Sequence, residues 1–382
     1  MTFWLVAVQA LGGNWSFDDQ LGTPPALYPG TFDRAPVAHW STELPSPRLN
    51  VATHTERGRP VIVGPHILVG SAGGSALHVL SRRNGQLVRH LPATSSVESE
   101  PLVVGDHVYF GDTGGTLWCY SLDGEAVWSR HSGAPILVRP TVVDGVLYIT
   151  NVDDLGLAID AETGDLLWRY AHPEDVTREA ELALYAAPSA VVHGDAVLMG
   201  FSDGTLAALR IESGDVMWAQ RVGEGRYPDL VASPVAHGTD IFTSGYFMPL
   251  VALDLASQNM RWRVDHGAAH AVAIDDSSGV AVVHHPGTDG TLRSYVALTG
   301  AERWSWSSGT RGALTTPQPT PAGLVVASSE GSVYLIDPDT GQRTWRYRGD
   351  ELLTGVSAAP FIEGRQMIFV TNAGRIYSMV AP

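Results

Sequence analysis

Four histidines, His266, His270, His284 and His285, stand within twenty residues of one another. Imidazole is the commonest metal ligand, so the chemistry to test first is a transition-metal centre. Neighbouring residues of a strand point to opposite faces, so His284 and His285 cannot both enter one site if they share a strand. They read as surface and turn histidines, with metal binding left open. A second cluster, Glu174-Asp175-Val176-Thr177-Arg178-Glu179-Ala180-Glu181, is rich in oxygen donors but lacks the spacing of a calcium loop, and reads as a solvated segment. The single cysteine, Cys119, allows no intrachain disulfide and no zinc site of two or more thiolates. The chain contains no lysine, which removes Schiff-base and P-loop lysine chemistry. It also contains no Gly-x-Ser-x-Gly, no His-Glu-x-x-His and no dinucleotide-type Gly-x-Gly-x-x-Gly after a strand. The residues therefore assemble no catalytic constellation, no metal set and no cofactor cradle of recognisable spacing.

What the sequence does contain is a repeat. Of eleven tryptophans, Trp40, Trp128, Trp168, Trp218, Trp262, Trp304 and Trp345 fall in one register, and Arg89 fills the same register between the first two. The spacing, close to 40–50 residues, is that of four-stranded propeller blades. Four positions ahead of most of these residues stands a glycine: Gly85, Gly124, Gly164, Gly214, Gly300 and Gly341. At Trp262 the position is Gln258, with Asn259 beside it to take a left-handed backbone. The fullest units, Leu157–Trp168 and Leu335–Trp345, read as strand, Asp-x-x-Thr-Gly turn and strand. Upstream, segments such as Glu100-Pro101-Leu102-Val103-Val104-Gly105-Asp106-His107-Val108-Tyr109-Phe110 predict two further strands around a glycine turn. After Trp345, residues 356–380 supply only three strands, so the segment around Val37-Ala38-His39-Trp40 must supply the fourth. The prediction is an all-β, eight-bladed β-propeller of four-stranded antiparallel blades over residues 35–382, closed by an N-terminal strand. The tryptophans are its packing anchors.

Composition agrees. Apolar residues at 44% permit a large core, and 41 glycines and 24 prolines supply turns without reaching low complexity. A net charge of −16 with no basic run excludes a nucleic-acid binder. Residues 1–34 read as a leader and irregular lead-in. Phe3–Leu11 has signal-peptide length, but the basic n-region is missing and Gly12-Gly13 stand where a lipoprotein would carry cysteine.

The Ala-x-Asp-x-x-Thr-Gly-x-x-x-Trp unit resembles the repeat of the pyrroloquinoline-quinone-type propellers. Within that group, Ala187-Pro188-Ser189-Ala190-Val191-Val192-His193-Gly194, Asp203-Gly204-Thr205-Leu206 and the ending Gly374-Arg375-Ile376-Tyr377-Ser378-Met379 resemble the BamB family of outer-membrane protein assembly factors. That resemblance implies a non-enzymatic periplasmic scaffold at the outer membrane, without a cofactor, acting as a monomer within a larger complex. Its partners would be the POTRA domains of BamA and nascent outer-membrane proteins. It places partner binding on two loops, at about 178–187 and 223–232, and so on Leu182, Leu184 and Asp229; Val231 stands where the family has a further aspartate, no arginine stands beside the leucines, and Arg226 is an extra charged candidate of this sequence. The alternative is a quinone-dependent oxidoreductase or another exported binding propeller. Quinoprotein dehydrogenases share the repeat but are longer, and many carry a vicinal disulfide that Cys119 alone cannot form.

Overall fold

A computed structural model describes residues 30–45, 56–173, 186–225, 227–348 and 355–382. Those residues form thirty-two strands, β1 to β32 in chain order, and no helix. The strands fall into eight four-stranded antiparallel sheets. Blades one to seven follow the chain, at residues 61–92, 102–131, 141–171, 191–221, 235–264, 273–307 and 318–348. Blade eight takes three strands from 361–380 and its outer strand from the other end of the chain: β1 (Val37–Glu43) pairs antiparallel with β32 (Arg375–Val380), Val37 opposite Val380. The expected closure is thus observed, and it leaves no open sheet edge between the last blade and the first. The packed chain begins ahead of the first strand, since Phe32 is buried among residues of blades seven and eight.

The core is not central. Buried apolar residues gather in eight clusters, and each spans two neighbouring blades. Between blades three and four, for example, Tyr148, Ala158 and Trp168 meet Val197, Met199, Phe201 and Leu209. A blade is too small to bury its own faces, so stability resides at its boundaries.

The tryptophan and glycine registers are two halves of one contact. Gly214 of blade four lies beneath Trp168 of blade three, and a Cβ there would sit 2.7 Å from the indole. Gly214 also has φ +75°, which a side chain would oppose. The indole N–H of Trp168 donates to the Ile211 carbonyl of the same turn at 3.0 Å. Equivalent bonds run from Trp40 to Arg82, Trp128 to Ala161, Trp262 to Ala297 and Trp304 to Pro338. Arg89 keeps the function with different chemistry: its guanidinium donates to the Asp123 carbonyl of blade two. Gln258 itself adopts the left-handed backbone, at φ +59°, so the burden does not pass to Asn259.

In each blade the ladder between the third strand and the outer strand slips one residue immediately before the tryptophan register. The extra residue is turned out of the pleat. Val88, Val127, Leu167 and Met217 are exposed there despite being apolar, as are the paired Leu87, Leu166 and Val216 before them, because the fourth strand lies at the outer edge of its blade.

Candidate functional site

Antiparallel order fixes which loops share a face. The connection from one blade to the next and the turn between its second and third strands leave from the same end; the Asp-x-x-Thr-Gly turns lie at the other. The connections that leave the ends of β13 (Leu166–Ala171) and β17 (Val216–Arg221), in which the two loops of interest lie, therefore start on the same face as the second-to-third-strand turns at 201–204 and 245–248.

Leu182, Leu184 and Arg226 lie outside the described residues, so that part of the reading rests on sequence. Asp229 is described, and its side chain is only 1% exposed. It belongs to the interior of its loop, and its carboxylate is not offered to solvent. The surrounding backbone is tightly held: Leu230 N–H donates to Phe201 O at 3.2 Å, Val222 N–H to Gly204 O at 2.9 Å and Ala232 N–H to Ser244 O at 3.3 Å. The loop is a preformed platform rather than a free strap.

At the foot of the first loop stands an unforeseen polar cluster. The ring of His172 stacks on Phe201 with centroids 4.3 Å apart, and its Nε2 lies 3.1 Å from Asp203 Oδ2. Burial works to raise the Asp203 carboxyl, but bonds from His172 and Thr205 outweigh it and hold the group at about 2. Ser202 donates its hydroxyl to Asp154. Serine and histidine are thus each committed to a different carboxylate, an arrangement that locks loop ends and offers no nucleophile-and-base pair.

The four histidines separate. His266 and His270 lie in the connection between blades five and six, whereas His284 and His285 occupy the second strand of blade six, β23 (Val282–Pro286). Strand alternation sends those two to opposite faces, as expected: His284 stacks against Trp304 at 5.6 Å and His285 faces Tyr295 at 6.5 Å. The expectation of surface and turn histidines is corrected for this pair, because both are buried. A propeller blade is covered on both faces by its neighbours, so a polar residue in a middle strand has no solvent side to turn to. Burial pushes His284 down to about 4 and His285 down to about 3, so both are neutral at physiological pH. Among the described residues no three His, Cys, Asp or Glu side chains gather as a metal set. Burial likewise pushes the Cys119 thiol up to about 12, which removes it as a nucleophile at neutral pH.

Near the axis, charged side chains engage one another. Glu100 Oε1 lies 3.7 Å from Arg59 and 3.5 Å from Arg139, and Arg59 donates to Gln318 Oε1 at 2.7 Å and to Pro360 O at 3.0 Å. These bonds tie the inner ends of five blades. A groove of about 450 Å³ opens elsewhere, at the outer rim beside β1, lined by residues including His39, Trp40, Tyr347 and Arg375.

The residues that sequence reasoning missed on the loop face are aromatic: Tyr227, Tyr246 and Phe247. Their signal was a departure from the repeat, since the other blades place mostly glycine or short polar residues at this turn, with Val152 of blade three and the buried Phe201 of blade four as exceptions.

Comparison with known proteins is consistent with this geometry. The family model for outer membrane protein assembly factor BamB matches residues 37–123, 80–287 and 249–381, and so nearly the whole ring. The outer membrane protein assembly factor BamB of Burkholderia pseudomallei is 25% identical over 327 residues, covering 83% of this chain and 82% of that protein. That of Yersinia pestis is 26% identical over 263 residues, covering 67% of this chain and 64% of its own length. Among solved structures, BamB from Moraxella catarrhalis superposes with a TM-score of 0.75 at 16% identity, covering 91% of this chain and all of that one. A quinohemoprotein alcohol dehydrogenase from Pseudomonas putida HK5 reaches a TM-score of 0.72 at 14% identity, covering 97% of this chain and 80% of that one; this likeness concerns the fold alone. The chain belongs to the family of outer membrane protein assembly factor BamB, a family of assembly factors and not of enzymes.

Proposed function

We propose that this protein is a rigid scaffold subunit of the machinery that assembles β-barrel proteins in the outer membrane. In this reading it sits on the periplasmic side of that membrane and docks the POTRA region of a BamA-type subunit. The observation that carries the reading is the family match from residue 37 to 381, which takes in the closing strand as well as the repeats. A closed ring suits the role, because its loops are held before a partner arrives and little conformational freedom is lost on binding. Docking is assigned to the face bearing the loops near 178–187 and 223–232. Leu182 and Leu184 supply apolar contacts there, Arg226 supplies charge, and buried Asp229 shapes its loop from within. Nascent outer-membrane proteins would be held by strand addition to exposed blade edges.

Calorimetric titration of the full chain with the POTRA segment of BamA from the same organism tests the assignment. Saturable binding is expected, weakened at least about tenfold in a Leu182→Asp/Leu184→Asp variant. An absence of heat with two well-folded partners would remove the docking role.

A further inference from the structure

Seven of the eight turns between second and third strands are built from turn chemistry, for instance Gly114-Gly115 in blade two, Asp203-Gly204 in blade four and Asp289-Gly290 in blade six. Blade five instead places Tyr246 and Phe247 at the tip, between paired Gly245 and Met248. The fold does not need these rings. The tip is held through its backbone: Ala268 N–H donates to Gly245 O at 2.9 Å, Ser244 Oγ to Met248 O at 3.2 Å and Thr288 Oγ1 to Tyr246 O at 3.4 Å. Yet Phe247 is 60% exposed and Tyr246 38%. The two rings lie 4.8 Å apart, and Tyr227 of the 223–232 loop adds a third ring 5.2 Å from Phe247. The patch is therefore continuous with that loop. Exposed charged side chains stand on the same segments: Glu224 and Asp265 have side chains 74% and 81% exposed, with Arg263 bridging them at 3.3 and 2.9 Å, so these three carry one net negative charge.

Aromatic side chains grouped on a rigid surface with a polar rim have the composition of an interface hot spot. We infer that Tyr246, Phe247 and Tyr227 form a docking anchor for a folded protein partner that presents an apolar pocket bordered by lysine or arginine. This rests on the docking role proposed above, and it commits to the same occupant, the POTRA segment. It adds blade five's hairpin to the two loops as the aromatic contact, with Glu224 and Asp265 steering the approach.

The test is calorimetric titration of the full chain with that POTRA segment, using wild type, Phe247→Asp, and a Tyr246→Asp/Phe247→Gly variant that puts turn-forming residues at the tip. The anchor predicts that the double substitution leaves the melting temperature unchanged and raises Kd at least about 30-fold, the ratio that corresponds to a hot-spot loss. Wild-type affinity should also fall as salt rises. Wild type and both variants binding alike would overturn the anchor and leave the docking role standing. No binding by wild type would overturn both. Sedimentation revealing a wild-type dimer that the double variant abolishes would give the patch to a second copy and equally overturn the assignment.

Discussion

Blades three and four, residues 141–221, and blades five and six, residues 235–307, follow the same four-stranded plan with the same bulge. They fill it differently. In the second strand, blade three places Tyr148 and Ile149 and blade four Leu198 and Met199 where blade six places His284 and His285. At the inter-blade contact, Trp168 covers Gly214, whereas the corresponding turn of blade five carries Gln258 in the left-handed region. At these two places the first pair keeps apolar side chains and glycine, although Asp144 and Asp154 in the turns of blade three also hold left-handed backbone, at φ 49° and 55°. The second pair departs at both places and still folds to the same geometry. The repeat therefore tolerates local cost, because each blade is held from both sides by clusters it shares with its neighbours.

Three measurements sharpen or break that contrast. The largest effect belongs to the tight boundary. Gly214→Ala should lose about 2–4 kcal/mol in denaturant unfolding, since the new Cβ meets Trp168 and opposes φ +75°. A loss below about 0.5 kcal/mol would mean that the boundary yields and the contrast is false.

The next concerns acid. His284 and His285 are held neutral by burial, with folded values of about 4 and about 3. Their lowered values mean that the unfolded chain binds more protons between about pH 6.5 and pH 3, so stability falls as pH drops through that window. His285→Met, which installs the residue of blade four, should recover about 2 kcal/mol at pH 5 relative to wild type, measured against the difference between them at pH 7. Parallel pH curves for the two proteins would show that His285 carries no such linkage.

The smallest effect runs in the stabilising direction. Gln258→Gly should raise stability by about 0.5–1 kcal/mol, left-handed strain relieved less the extra entropy of unfolded glycine. Destabilisation would indicate that the Gln258 side chain makes a contribution larger than its backbone cost.

Much of the ring was legible because its physics repeats. Trp128, Trp168 and Trp304 recur with the glycine they cover, and the count of three strands after Trp345 required a strand near Trp40 to close the ring. What escaped notice broke the repeat or depended on burial. The depth of His284 and His285 follows from having a blade on each side, which no single strand reveals. Asp229 matched a family position by sequence, but its burial depends on how the loop folds over blade four. Tyr246 and Phe247 attracted no attention as hydrophobic residues in a strand-rich chain; they became informative only once Gly245 and Met248 placed them at a tip. Leu182, Leu184 and Arg226 lie outside the described residues, and their roles remain proposals.

The pairing of Val37 with Val380 also has a kinetic meaning. The ribosome makes β1 before every other strand of the ring and its partner after all of them. Each intervening blade can form from local hairpins, but the outer strand of blade eight must wait for the rest of the ring, because it joins segments of the greatest sequence separation in it. Until then the edges of β1 and of blade eight's third strand are both exposed to other chains. Circular permutation that moves β1 behind Pro382 would turn this late long-range step into a local one. The ring would then close as its final hairpin forms, and the interval of exposure would shorten.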